Sequence, residues 1–141
     1  MFFVDLIDIP TFVSVHLVRH SIGITHYVKS NREDRPGYSG DTGREHPVNH
    51  SMLINAEALI NMSRKRLCFQ AHIQTVEVMN MIKKSVAIVD PDLAMFMVPE
   101  CHFRNGYCPE IRPCGMYRVD TVPFVPQMTK KHPNYIEKVL I

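Results

Sequence analysis

Three cysteines, Cys101, Cys108 and Cys114, fall within fourteen residues, with His102 beside the first of them. Thiolate and imidazole are the ligands that zinc takes four at a time in tetrahedral geometry. Gly106, Pro109, Pro113 and Gly115 give the backbone enough turns to gather those side chains. Cys101, Cys108, Cys114 and His102 are therefore expected to hold a structural zinc. The spacing is looser than a double C-x-x-C, and the competing expectation is a set of reduced, partly buried thiols, with Cys68 as a further core residue on a helix. Basic groups collect elsewhere, at Arg19-His20, at Arg64-Lys65-Arg66 and in the mixed-charge run Ser30-Asn31-Arg32-Glu33-Asp34-Arg35. A planar guanidinium pairs bidentately with phosphate or with a pyrimidine carbonyl. The plainer reading is that helix-end cations complement the macrodipole, worth about 0.3–1 kcal/mol, and that the run is a solvated loop.

The elements that must position these groups follow from apolar spacing. Phe2 to Ile9 joins β-formers to two acids, Asp5 and Asp8, in the partial alternation of a strand with one wet face. Pro10 suits a first helical turn with Asp8 as its cap, and Phe12, Val13, Leu17 and Val18 form a stripe running into Arg19 and His20. Ile22 to Val28 reads as a second strand, and Ser30 to Asn49, with three glycines and two prolines, as a long surface loop. Ser51 is expected to cap a helix carrying Leu53, Ala56, Leu59, Ile60 and Ser63 and ending on the basic triplet. A second helix is expected from Phe69 to Val89, closed by Asp90-Pro91. Met79, Met81, Met95 and Met97 sit in apolar runs and are read as core or interface filler. The expected organisation is a domain over 1–97, a Cys-rich segment over 98–118 and an extended tail over 119–141.

Two stretches carry a family resemblance. His16-Leu17-Val18-Arg19-His20 resembles the helix end of flavin-dependent thymidylate synthases, where Gln-Leu-Val-Arg-His-Arg precedes a signature serine and arginine. Asn55-Ala56-Glu57-Ala58-Leu59-Ile60-Asn61, continuing to Arg66, Gln70 and His72, resembles the family's Asn-x-Arg-x-x-x-Asn segment and the arginine and His-Ala-Gln that follow it. The resemblance implies an α+β fold in which a small sheet packs against two long helices, followed here by an irregular Cys/Pro-rich segment. It implies that Arg19, His20, Asn55 and Asn61 contact FAD, and that Ser30, Arg32 and Arg66 hold the nucleotide, with Arg32 and Arg66 polarising the pyrimidine. The reaction it implies methylates deoxyuridine monophosphate, with methylenetetrahydrofolate as one-carbon donor and NADPH reducing the flavin. It implies a homo-oligomer, tetrameric in the family, or a partner supplying the family's N-terminal region. Three positions depart from the pattern: Ser21 replaces an arginine, His16 a glutamine, and Glu57 reverses a charge between the asparagines. Those departures leave open a noncatalytic nucleotide-binding or regulatory module, and the Cys-rich segment leaves open a zinc-stabilised interaction protein.

Composition sets the outer limits. A chain of 141 residues, 45% hydrophobic, can bury roughly two-thirds of the surface that its unfolded form exposes. Sixteen basic against 14 acidic residues give a net charge of +2, too balanced for binding nucleic acid through bulk charge, so any anion site is local. No apolar run approaches the roughly 18 residues of a membrane span. Four cysteines without a secretion signal suit a reducing compartment, and a cytoplasmic location is expected.

Overall fold

The computed structural model describes residues 1–29, 33–34, 36–38, 40 and 43–114. Ser30 and Arg32, and the tail expected over 119–141, lie outside the described residues. The chain divides into two compact units, Met1–Leu59 and a second beginning at Ile60. It is a small α+β protein with one three-stranded antiparallel sheet and several helices.

In the first unit, β1 (Phe2–Pro10), β2 (Ile24–Val28) and β3 (Pro47–Ile54) form a sheet in the order β1-β3-β2. The central strand differs from the sequence expectation: the stretch containing Ser51 is extended, and the helix expected there begins after Ile54. Val48, His50, Met52 and Ile54 are buried, while Pro47, Asn49 and Leu53 are exposed. That alternation is the period of two of a strand with one covered face. The same face takes Leu6, paired with His50, and Ile9, paired with Val48. Leu6 and Ile9 are three apart, so strict alternation would put them on opposite faces. A bulge resolves this: Ile7 and Asp8 together face Asn49, Asp8 takes φ 54°, and its backbone N–H donates to Asn49 Oδ1 at 3.1 Å. Asp8 therefore serves the bulge and does not cap the following helix.

Helix α1 (Thr11–Val18) lies against β1 and β3, burying Phe12, Val13, Ser14 and Leu17. Each large apolar side chain so covered contributes roughly 1.5–3 kcal/mol. No side chain among the described residues caps its N-terminus. The Thr11 and Phe12 N–H groups donate instead to the carbonyls of His46 and Arg44, at 2.9 and 3.1 Å. Thr11 Oγ1 donates to the same His46 oxygen at 2.7 Å, and the Arg44 guanidinium lies 5.5 Å from the Phe12 ring centroid. The end of the long connection thus satisfies the donors that a helix start leaves open.

Helix α2 (Ala56–Arg66) carries the chain into the second unit. The second unit then holds α3 (Ile73–Val89), α4 (Pro91–Phe96) and the short α5 (Glu100–Phe103). The helix expected from Phe69 starts four residues later, because residues 67–72 form a turn, and Cys68 lies in that turn rather than on a helix. Val78, Met79, Ile82 and Val86 are buried on α3, as are Leu93 and Ala94 on α4. Asp90 ends α3 and caps α4, its carboxylate accepting from Leu93 N–H at 2.9 Å with Pro91 in the first turn. Met79 and Met97 are core residues, whereas Met81 and Met95 are exposed. No helix among the described residues is long and apolar enough to cross a membrane.

The register of β3 makes a sharp contrast between neighbours. Met52→Ala is expected to cost about 2–5 kcal/mol, as truncation of a buried side chain does, and Leu53→Ala well under about 1 kcal/mol. Urea denaturation of both variants checks this; equal losses would contradict an inward Met52 beside an outward Leu53.

Candidate functional site

In the first unit a polar chain, buried at Ser14 and His50 and half-buried at His26, runs from α1 across the sheet. Ser14 Oγ lies 3.0 Å from His50 Nδ1, His50 Nε2 lies 2.9 Å from His26 Nδ1, and His26 Nε2 lies 2.7 Å from the carbonyl oxygen of His20. A carbonyl only accepts, so His26 Nε2 carries a proton. With one proton on each ring, His50 Nε2–H donates to His26 and the Ser14 hydroxyl donates to His50 Nδ1. Every ring nitrogen of His26 and His50 is then matched.

The Ser14–His50 contact has the shape of a nucleophile and its base, but two properties rule against that use. Both side chains are buried, Ser14 at 3% and His50 at 0% exposure, which leaves no room for a substrate. Burial, reinforced by the neighbouring His26, also lowers the His50 pKa to about 4, roughly three units below a useful base at neutral pH. The polar chain positions instead. It ties the His20 carbonyl, and with it the turn after α1, to the middle of the sheet.

That turn carries Arg19, the exposed C-cap residue of α1, and His20, half-buried, whose N–H donates to Leu17 O at 3.0 Å. It closes at Gly23, which has φ +74° and sits against Asn55 so tightly that a Cβ there would lie 2.6 Å from Asn55 Nδ2. Asn55 N–H donates to the Gly23 carbonyl at 3.1 Å, and Ile24 and Ile54 are paired across β2 and β3. Asn55 has a structural task as well: its Oδ1 accepts from Ala58 N–H at 2.8 Å and its carbonyl from Leu59 N–H at 3.1 Å. It is the N-cap of α2, a role that the sequence pattern suggests for Ser51. Ser51 instead donates to Asp5 Oδ1 at 2.6 Å from the opposite sheet face.

The remaining candidates lie in the second unit. Asn61 is exposed on α2, and Arg66 is half-buried in its last turn. Arg64, two residues earlier, places its Cζ 3.5 Å from the Phe103 ring centroid, and its buried Nε has no hydrogen-bond partner among the described residues. Gln70 is exposed and donates to the Arg112 carbonyl, and His72 starts α3. Cys101, Cys108 and Cys114 line one small cavity, whose other residues include Arg64 and Cys68. The sequence spacing places His102 with these cysteines. His102 is half-buried on α5, and the lining has Cys68 in its stead. The turn at 67–72 contains neither Gly nor Pro, so nothing local announces that Cys68 leaves the helix.

Compared with known proteins, the chain matches no family model, no curated protein and no solved structure.

Two outcomes test this geometry. The His50 pKa is lowered in the folded chain, so between about pH 6.5 and 4 the unfolded chain binds the proton and the folded one does not. Stability should therefore fall on acidification through that window, by up to roughly 3 kcal/mol from this group, and level off below it. Denaturation midpoints across the range should show a shallower fall for His50→Gln than for the wild type. Separately, Asn55→Asp, which keeps a capping oxygen, should leave stability within about 0.5 kcal/mol, while Asn55→Ala should lose about 1 kcal/mol. Equal losses in thermal melts would remove the capping role.

Proposed function

We propose that this chain is a flavin-dependent thymidylate synthase-like protein that binds a pyrimidine nucleotide, deoxyuridine monophosphate or a close relative, against FAD. The observation that supports the reading is the meeting of the two resembling segments. Arg19-His20 and Asn55 are 35 residues apart in sequence, yet the Gly23 turn joins them through the Asn55–Gly23 hydrogen bond of 3.1 Å and the pairing of Ile24 with Ile54. A guanidinium, an imidazole and an amide at that turn suit the carbonyls and ring nitrogens of an isoalloxazine. On this reading Arg19, His20, Asn55 and Asn61 hold the flavin, and Ser30, Arg32 and Arg66 hold the nucleotide. Bound flavin supplies the reducing equivalents, drawn from NADPH, and methylenetetrahydrofolate the carbon. The protein orients the rings and fixes positive charge beside the pyrimidine, where preorganised charge is most effective. A homo-oligomer belongs to the same reading, and exposed Phe3, Leu53 and Tyr27 on the uncovered sheet face are compatible with it.

A second reading, a noncatalytic nucleotide-binding module, draws on two observations. The Asn55 amide oxygen is engaged in capping, and exposed Glu57 places a carboxylate in the first turn of α2, where it repels a flavin pyrophosphate.

The deciding experiment is incubation with FAD, desalting, and a visible spectrum with and without deoxyuridine monophosphate. The proposal expects a retained flavin band that shifts with nucleotide, and a loss of nucleotide affinity of about tenfold or more in Arg66→Ala, the scale of one charge-assisted hydrogen bond. Nucleotide binding without flavin selects the second reading, and binding of neither ligand overturns both.

A further inference from the structure

The four cysteines of the chain are Cys68, Cys101, Cys108 and Cys114. They come from three separate stretches of the second unit: the turn after α2, the buried face of α5, and the loop that follows α5. All four line the same cavity, which measures about 20 Å³. A volume of that size has room for about one water or one ion. From this convergence we propose a four-thiolate zinc site formed by Cys68, Cys101, Cys108 and Cys114.

Local structure explains how the thiols meet. After α5 the chain reverses through Asn105 and Gly106, at φ 55° and 98°, and the Gly106 N–H donates to the Cys101 carbonyl at 2.7 Å. That reversal brings Cys108 back beside Cys101. Gln70, two residues after Cys68, donates to the Arg112 carbonyl, which draws the Cys114 loop toward the Cys68 turn. Half-buried Arg64 also lines the cavity.

The ligand chemistry points to zinc. Four sulfurs in tetrahedral array match a closed structural site, in which the metal has no open position. Burial pushes the Cys101 thiol up to about 11, and the neighbouring Cys68, Cys108 and Cys114 add to the shift, while a hydrogen bond from the His102 backbone opposes it. Zinc binding replaces the thiol protons, which pass to solvent, and relieves the mutual repulsion of the sulfurs. No group of three or more His, Cys, Asp or Glu side chains among the described residues is in metal-holding geometry, so a zinc site here requires the thiols to close on the ion as it binds. The half-buried Cys108 and exposed Cys114 have the freedom to do so.

Thiol titration of the full chain tests the site, because every cysteine in the protein belongs to it. With zinc loaded, fewer than about one thiol should react, and after a strong chelator all four should. Equal reactivity with and without zinc overturns the proposal, whether the thiols are all free or all oxidised. Cobalt substitution then fixes the ligand set. His102→Ala should keep the full thiolate-to-cobalt charge-transfer band, and Cys68→Ser should lose about a quarter of it, one ligand in four. His102→Ala carries the decision if Cys68→Ser fails to fold: unchanged cobalt ligand-field bands keep the imidazole off the metal, and a shift in those bands places the imidazole, not Cys68, on it.

Discussion

An imidazole without contact with water must have both of its nitrogens matched, and His50 meets this demand from the middle of the central strand. One nitrogen reaches Ser14 on α1 and the other reaches His26 on β2, which passes the connection to the His20 carbonyl. A helix, both strands on one side of the sheet and the turn after the helix are fixed by one side chain. Apolar contact alone would hold α1 against the sheet while allowing small shifts along it. The polar chain does not, since a slip of one residue leaves a buried nitrogen unpaired at a cost of about 1–3 kcal/mol. The candidate binding turn is therefore set by the interior, and its exposed residues are free to differ in chemistry without altering its position.

Much of the architecture is legible in the sequence. Phe2 to Ile9 and Ile22 to Val28 read as strands, and the stripe of Phe12, Val13 and Leu17 locates α1. The strand β3 is not legible because a histidine occupies a core position. Val48, Met52 and Ile54 alternate cleanly only when His50 counts as buried, and nothing in its own neighbourhood shows that Ser14 and His26 satisfy it. Ser51 then resembles a helix cap, although the cap is Asn55, four residues on. The bulge at Ile7 and Asp8 blurs β1 in the same way, by inserting one residue into the period of two.

Site residues are legible in proportion to how local their partners are. Cys101, Cys108 and Cys114 lie in one turn-rich stretch, and the cavity contains all three. Their fourth companion, Cys68, is separated from them by α3 and α4 and is recognisable only in three dimensions. Arg19 and Asn55 stand out through resemblance alone. The contact of Asn55 with Gly23, four residues after Arg19, depends on the antiparallel pairing of β2 with β3, which a reading without β3 does not supply.

The connection between β2 and β3 is pinned at both ends by backbone. Lys29 N–H donates to Asn49 O at 3.2 Å, and the carbonyls of Arg44 and His46 receive the first N–H groups of α1. With its ends held by the main chain, the interval between them has no obligatory length. Closing a longer loop across fixed ends costs only about 0.6 kcal/mol for each doubling. Insertion or deletion in that interval is therefore cheap for the helix, the sheet and the anchored turn at its ends.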